Sequence, residues 1–160
     1  MKKLLIVWHS MTGGSEALAR AAAAGAEEAE VKLLHADAAG ADDMLVADGY
    51  LFVLPENLAA ISGVMKAFFD RVYYPCLGQI EGRPYAVIVC AGSDGSNAVR
   101  QTERIATGWR LKKVADSLIV CTHAQTPEAI MAAKRIPDAD LVRARDLGST
   151  LAAGLSLGVF

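Results

Sequence analysis

This sequence predicts an α/β fold, a parallel sheet with helices on both faces, and three observations carry the prediction. Strand-like and helix-like segments alternate along most of the chain. Four of the five strand-like runs are continuously apolar, the pattern of strands buried on both faces. Three loops rich in Gly, Ser or Pro follow the carboxyl ends of such runs, where open sheets of this kind take ligands.

The first strand, Leu4–Trp8, breaks off at His9-Ser10-Met11-Thr12-Gly13-Gly14-Ser15, and an alanine-rich helix is predicted over Glu16–Ala26. A strand-to-helix junction of this kind gathers unpartnered N–H groups at the positive end of a helix dipole. Three hydroxyls (Ser10, Thr12, Ser15) and two glycines suit it to an anion, most naturally a phosphate. Glu30–Ala36 reads as a second strand, and Asp37–Val46 as a connection with one or two helical turns. Tyr50–Leu54 is a buried strand expected to stop at Pro55. Ser62 is placed to cap a helix whose apolar positions Val64, Met65, Phe68, Phe69 and Val72 keep helical spacing, with Tyr73-Tyr74-Pro75 ending it.

Tyr85–Ala91 is the fourth strand, Gly92–Ser96 a glycine-rich turn, and Asn97–Lys113 the next helix. Leu118–Cys121 forms the fifth strand. The tail reads as two helical pieces split near Pro137, the second with Leu141, Ala144, Gly148, Leu151 and Leu155 on one face.

At 160 residues, one domain over 1–160 is the simplest reading. A net charge of −2 argues against a nucleic-acid partner, which favours a clearly basic domain. Cys76, Cys90 and Cys121 show no metal spacing, so no metal site is expected; buried free thiols point to a reducing, cytoplasmic setting. The apolar start stops at His9, short of the ~7–15 residues of a secretory segment, and the apolar Leu151–Phe160 is far below the ~20 of a membrane span. A soluble protein is expected.

Several chemistries are absent. There is no GxxxxGK[ST] and no GxGxxG in the first loop, and the turn Gly92-Ser93-Asp94-Gly95 is not GxSxG, which argues against a nucleophile elbow there. What remains is a resemblance to the flavodoxin-like superfamily. Ser10-Met11-Thr12-Gly13-Gly14-Ser15 fits that superfamily's phosphate-loop pattern [ST]-x-T-G-x-[ST]. Asp42–Asn57 (DDMLVADGYLFVLPEN) and Gly63–Asp70 (GVMKAFFD) resemble the second flavin loop and following helix of NAD(P)H-dependent FMN reductases and quinone reductases, and Ala91–Gln101 (AGSDGSNAVRQ) their third loop.

The resemblance implies a three-layer sandwich with a five-stranded parallel sheet of order 2-1-3-4-5 and noncovalent FMN. Its contacts would be Ser10, Met11, Thr12, Gly13, Gly14 and Ser15, then Pro55, Glu56, Asn57 and Leu58, then Ala91, Gly92, Ser93, Asp94 and Gly95. NAD(P)H would pass hydride to flavin N5, and the flavin would reduce a quinone or other small acceptor. No catalytic residue is named, because the cofactor carries the chemistry. Glu56 is expected to accept a hydrogen bond from the flavin. A homodimer or tetramer is expected, with Tyr73, Tyr74 and Trp109 as candidate contacts. Two alternatives stand beside this reading: a flavodoxin-type one-electron carrier, and a flavin-free binding module of the same fold. The third loop lacks the aromatic ring that carriers usually stack on the flavin, and the chain is only slightly acidic.

Overall fold

The computed structural model describes residues 1–160. The predicted strand segments form β1 (Lys3–Trp8), β2 (Glu30–His35), β3 (Gly49–Asn57), β5 (Pro84–Ala91) and β7 (Leu118–Cys121), with two short additions, β4 (Ala60–Ile61) and β6 (Lys112–Lys113). The sheet therefore has seven strands rather than five. Its parallel body runs β2-β1-β3-β5-β7, the expected order, with β6 beside the start of β5 and β7 beside its end. β4 folds back antiparallel onto the end of β3, pairing Glu56 with Ile61 and Asn57 with Ala60.

Side chains alternate across the sheet and build two cores. Leu5, Val7, Tyr50, Phe52, Val87 and Val89 meet α2 (Ala41–Val46), α3 (Gly63–Cys76) and α4 (Ser96–Gly108). Leu4, Ile6, Leu51, Val53, Ala86 and Ile88 meet α1 (Gly14–Gly25) and α6 (Asp138–Leu157). Helices α1 and α6 pack almost backbone to backbone. A Cβ on Gly148 would lie 2.0 Å from the Ala22 carbonyl oxygen, so glycine is required by close approach there. Ala144, Leu151 and Leu155 bury the same stripe of α6, as its spacing predicts.

The boundaries differ from expectation in three places. β3 continues through Pro55 to Asn57, with Pro55 opposite Cys90. Pairing with β1 ends at Val53, so no neighbour on that side needs the N–H that proline lacks. α3 passes Pro75 by one residue and ends at Cys76, so the bond lost with the Pro75 N–H lies in the last turn, with no further helix beyond it to kink. α4 stops at Gly108, not Lys113: Arg110 adopts φ 58°, and Lys112–Lys113 turn into β6.

Trp109 is fully buried, stacks on Tyr73 at 5.3 Å and donates its indole N–H to the Tyr73 carbonyl at 2.9 Å. That removes it from the candidate subunit contacts. Tyr74, by contrast, is 78% exposed.

Candidate functional site

The first loop leaves the sheet where β1 ends, with the His9 N–H donating to the Val53 carbonyl at 3.1 Å. Ser10 Oγ accepts the Gly13 N–H at 2.9 Å and draws the loop tight. Gly13 takes φ 100°, the left-handed region, at the N-cap of α1, and no side chain caps that helix. The Ala17 N–H closes the first helical bond onto the Gly13 carbonyl, so the N–H groups before it have no acceptor one turn back. Ser15 lies in the same turn. Its hydroxyl is buried, the residue being 1% exposed, and it has no hydrogen-bond partner in the chain. A buried hydroxyl left unpaired is costly, and this one borders the cleft that the loop encloses.

That cleft lies between the three predicted loops. Ser10, Met11, Thr12, Gly14 and Ser15 form one wall, Pro55, Glu56 and Asn57 a second, and Gly92 a third. The other expected residues stand outside its lining. Gly13 shapes the turn from behind, and Leu58 is fully exposed beyond the β3–β4 hairpin. Ala91 turns into the core beneath α4, because it alternates with Cys90, whose side chain takes the cleft side. Ser93 and Asp94 are exposed on the far side of their turn, and Gly95 is the buried N-cap of α4.

Glu56 has a task within the chain that the sequence did not suggest. Its two carboxylate oxygens accept the N–H groups of Gly95 at 2.9 Å and Ala98 at 3.0 Å. A residue of β3 thus caps α4 from outside, where the helix has no cap of its own.

The tail contributes more than its composition suggested. Residues 122–137 form a strap over the cleft, tied at one end by the Thr122 and His123 N–H groups to the Ala91 and Gly92 carbonyls, both at 2.8 Å. Within it, Thr126 caps the short α5 (Pro127–Met131) through the Ala129 N–H at 3.2 Å. At the other end Lys134 donates its N–H to the Thr12 carbonyl at 2.8 Å, and Ile136 is buried against the first loop. Cys90, Thr122, Ile130 and Lys134 therefore join the cleft wall unforeseen. The one sequence signal for the strap is Ile136, an apolar residue between charged Arg135 and Pro137.

Two titratable groups near the cleft, His9 and Cys90, are shifted toward their neutral forms. Burial, with His35 nearby, lowers the pKa of His9, whose Nδ1 lies 2.7 Å from Ser62 Oγ. Ser62 therefore serves His9 and gives no side-chain cap to α3. Burial pushes the Cys90 thiol up to about 11. No group of three or more His, Cys, Asp or Glu side chains converges as a metal site, and no helix is long and apolar enough to cross a membrane.

The sheet order, the glycine-bearing loop after β1 and the cleft at the carboxyl ends of the strands define a flavodoxin-like α/β protein. Residues 3–126 match the model of the NADPH-dependent FMN reductase family, and the chain belongs to that family. A flavodoxin of Aquifex aeolicus is 38% identical over 96 residues, a match covering 58% of this chain and 50% of that relative. The match thus spans about half of that relative's length. A flavodoxin from the domain Archaea superposes with a TM-score of 0.79 at 18% identity, over 96% of this chain and 98% of that one. A flavodoxin, WrbA-like protein of Agrobacterium tumefaciens gives a TM-score of 0.78 at 18% identity, covering 98% and 99%.

Proposed function

We propose that this chain binds FMN noncovalently and acts as an NAD(P)H-dependent reductase that serves a quinone or another small acceptor. FMN supplies the hydride chemistry when bound. The chain's own residues bind, orient and leave one face open. The Ser10, Thr12 and Ser15 hydroxyls and the first-turn N–H groups of α1 are placed to hold the phosphate end. Pro55, Asn57 and Gly92 border the remaining space, and the absence of an aromatic ring among the cleft residues leaves room for a small substrate.

The buried Ser15 hydroxyl carries this reading. It lies at an uncapped helix N-terminus, borders the cleft and lacks a partner, and a phosphate oxygen would satisfy it. The test is an absorbance spectrum of the protein mixed with FMN, followed by anaerobic NADH and NADPH. Bound flavin bleached by either nucleotide is the expected result; absence of bound flavin refutes the reading and favours a flavin-free module.

The flavodoxin relative from Aquifex aeolicus supports a second reading, a one-electron carrier. That reading predicts flavin bleached by dithionite and by neither nucleotide. We also propose a homodimer or tetramer, with exposed Tyr74 as a contact; light scattering that gives a monomeric mass refutes it.

A further inference from the structure

We propose that Lys134 is the cation for the bound phosphate. Its ammonium group is parked on the carbonyls that close α5 and turns to the phosphate when FMN occupies the cleft. The proposal rests on the FMN reading above.

Lys134 is the one cation lining the cleft, and the one carboxylate there, Glu56, is already engaged by α4. Its backbone is fixed to the first loop. The Lys134 N–H donates to the Thr12 carbonyl at 2.8 Å, and the next residue but one, Ile136, is buried. Lys134 Cβ lies 3.6 Å from where a Cβ on Gly14 would be, beside the first turn of α1. The stem of the side chain thus starts next to the open helix terminus, whatever α5 does.

The ammonium itself donates to the carbonyls of Ala129 at 2.8 Å, Ile130 at 2.7 Å and Ala132 at 2.7 Å. All three donors of the group are spent on neutral acceptors, and all three acceptors belong to exposed residues. Water can replace the ammonium at those carbonyls, so leaving them costs little. A phosphate monoester brings nearly two negative charges, so its bonds to the ammonium carry an ion-pair attraction that bonds to neutral carbonyls lack. The buried, unpaired Ser15 hydroxyl marks where that anion sits, independently of Lys134.

A competing account gives Lys134 only the task of closing α5. The two accounts separate on flavins with and without phosphate. Dissociation constants for FMN and riboflavin are measured by flavin-fluorescence quenching on the wild-type chain, K134Q, K134M and K134R. K134M keeps the apolar stem in place should K134Q fail to fold. The expected result is FMN affinity lowered about tenfold or more in K134Q and K134M, equal to about 1.4 kcal/mol, with riboflavin affinity within about twofold of wild type. K134R should hold FMN within about threefold, because it keeps the charge. Equal weakening of both flavins, or unchanged FMN binding, overturns the proposal while leaving the FMN reading intact. A wild-type chain that binds neither flavin overturns both.

Discussion

Replacing Ser15 with alanine should move stability and cofactor affinity in opposite directions. In the free chain the Ser15 hydroxyl is buried without a partner, a situation that costs about 1–3 kcal/mol. Alanine removes that cost and is a better helix former by about half a kcal/mol in the first turn of α1. The Ser15→Ala chain, without flavin, should therefore be more stable by about 1.5–3.5 kcal/mol, or by about 3–14 °C in Tm for a chain of this size. With FMN the sign reverses. A hydrogen bond from that hydroxyl to a charged phosphate is worth about 1.5–3 kcal/mol, so FMN affinity should fall about ten- to a hundredfold. Urea unfolding of the flavin-free chain reads the first number, and fluorescence titration with FMN the second. A variant that is less stable without flavin, or that binds FMN as tightly as wild type, would refute the placement of the phosphate at this hydroxyl.

Gly148→Val forces side-chain atoms against the Ala22 carbonyl and separates α1 from α6; a loss of about 1–3 kcal/mol or more is expected in urea unfolding. The Lys3 N–H, donating to Asp48 at 2.8 Å, holds the Asp48 carboxyl below its usual range, with Lys2 adding to the effect. A lowered folded-state pKa means stability present above about pH 4 and lost as pH falls through the folded value. Asp48→Asn should thus lower stability at pH 7 and flatten the acid loss, read from urea midpoints at pH 7 and pH 3. Glu56→Gln leaves one acceptor for two N–H donors at α4, so about 1–3 kcal/mol of stability should be lost without flavin present. An unchanged urea midpoint would return Glu56 to the flavin contact its position in the sequence suggested.

The parallel sheet was legible because burial on both faces leaves an unbroken apolar run, and Leu4–Val7, Tyr50–Leu54 and Tyr85–Ala91 are such runs. The loop after β1 was legible because its glycines and hydroxyls are local chemistry. What a strand does past its apolar run was not, since Pro55 ends the pattern while the backbone pairs on to Asn57. The capping task of Glu56 was not legible for a related reason. A carboxylate at a strand end carries no sign of which helix terminus, some forty residues on, will need it. The strap was hidden because its ties are backbone bonds, Thr122 and His123 at one end and Lys134 at the other, and backbone bonds leave no residue signature. Trp109 shows the limit of composition: an aromatic on a charged helix reads equally as interface or core, and only the Tyr73 carbonyl beneath its indole decides.

The two helices that start at the cleft edge of the sheet explain why one of them is left for a ligand. α1 and α4 each follow a strand and a glycine in the left-handed region, Gly13 and Gly95, and each presents unpaired N–H groups. At α4 the positive terminus meets the Glu56 carboxylate, so its donors are satisfied and its field is balanced by the chain itself. At α1 no carboxylate accepts from the first turn; Glu16, inside that turn, is paired outward with Arg20 at 2.8 Å. The donors of α1 are therefore balanced only by an anion from outside. The same asymmetry orients the ligand. An anion at α4 would meet the Glu56 charge, whereas an anion at α1 would meet the hydroxyl-bearing loop and, on the proposal above, the Lys134 ammonium. On the proposed placement, the phosphate end of FMN would be drawn to the loop after β1 and repelled from the turn after β5, which would leave the flavin ring to the gap between Pro55 and Gly92.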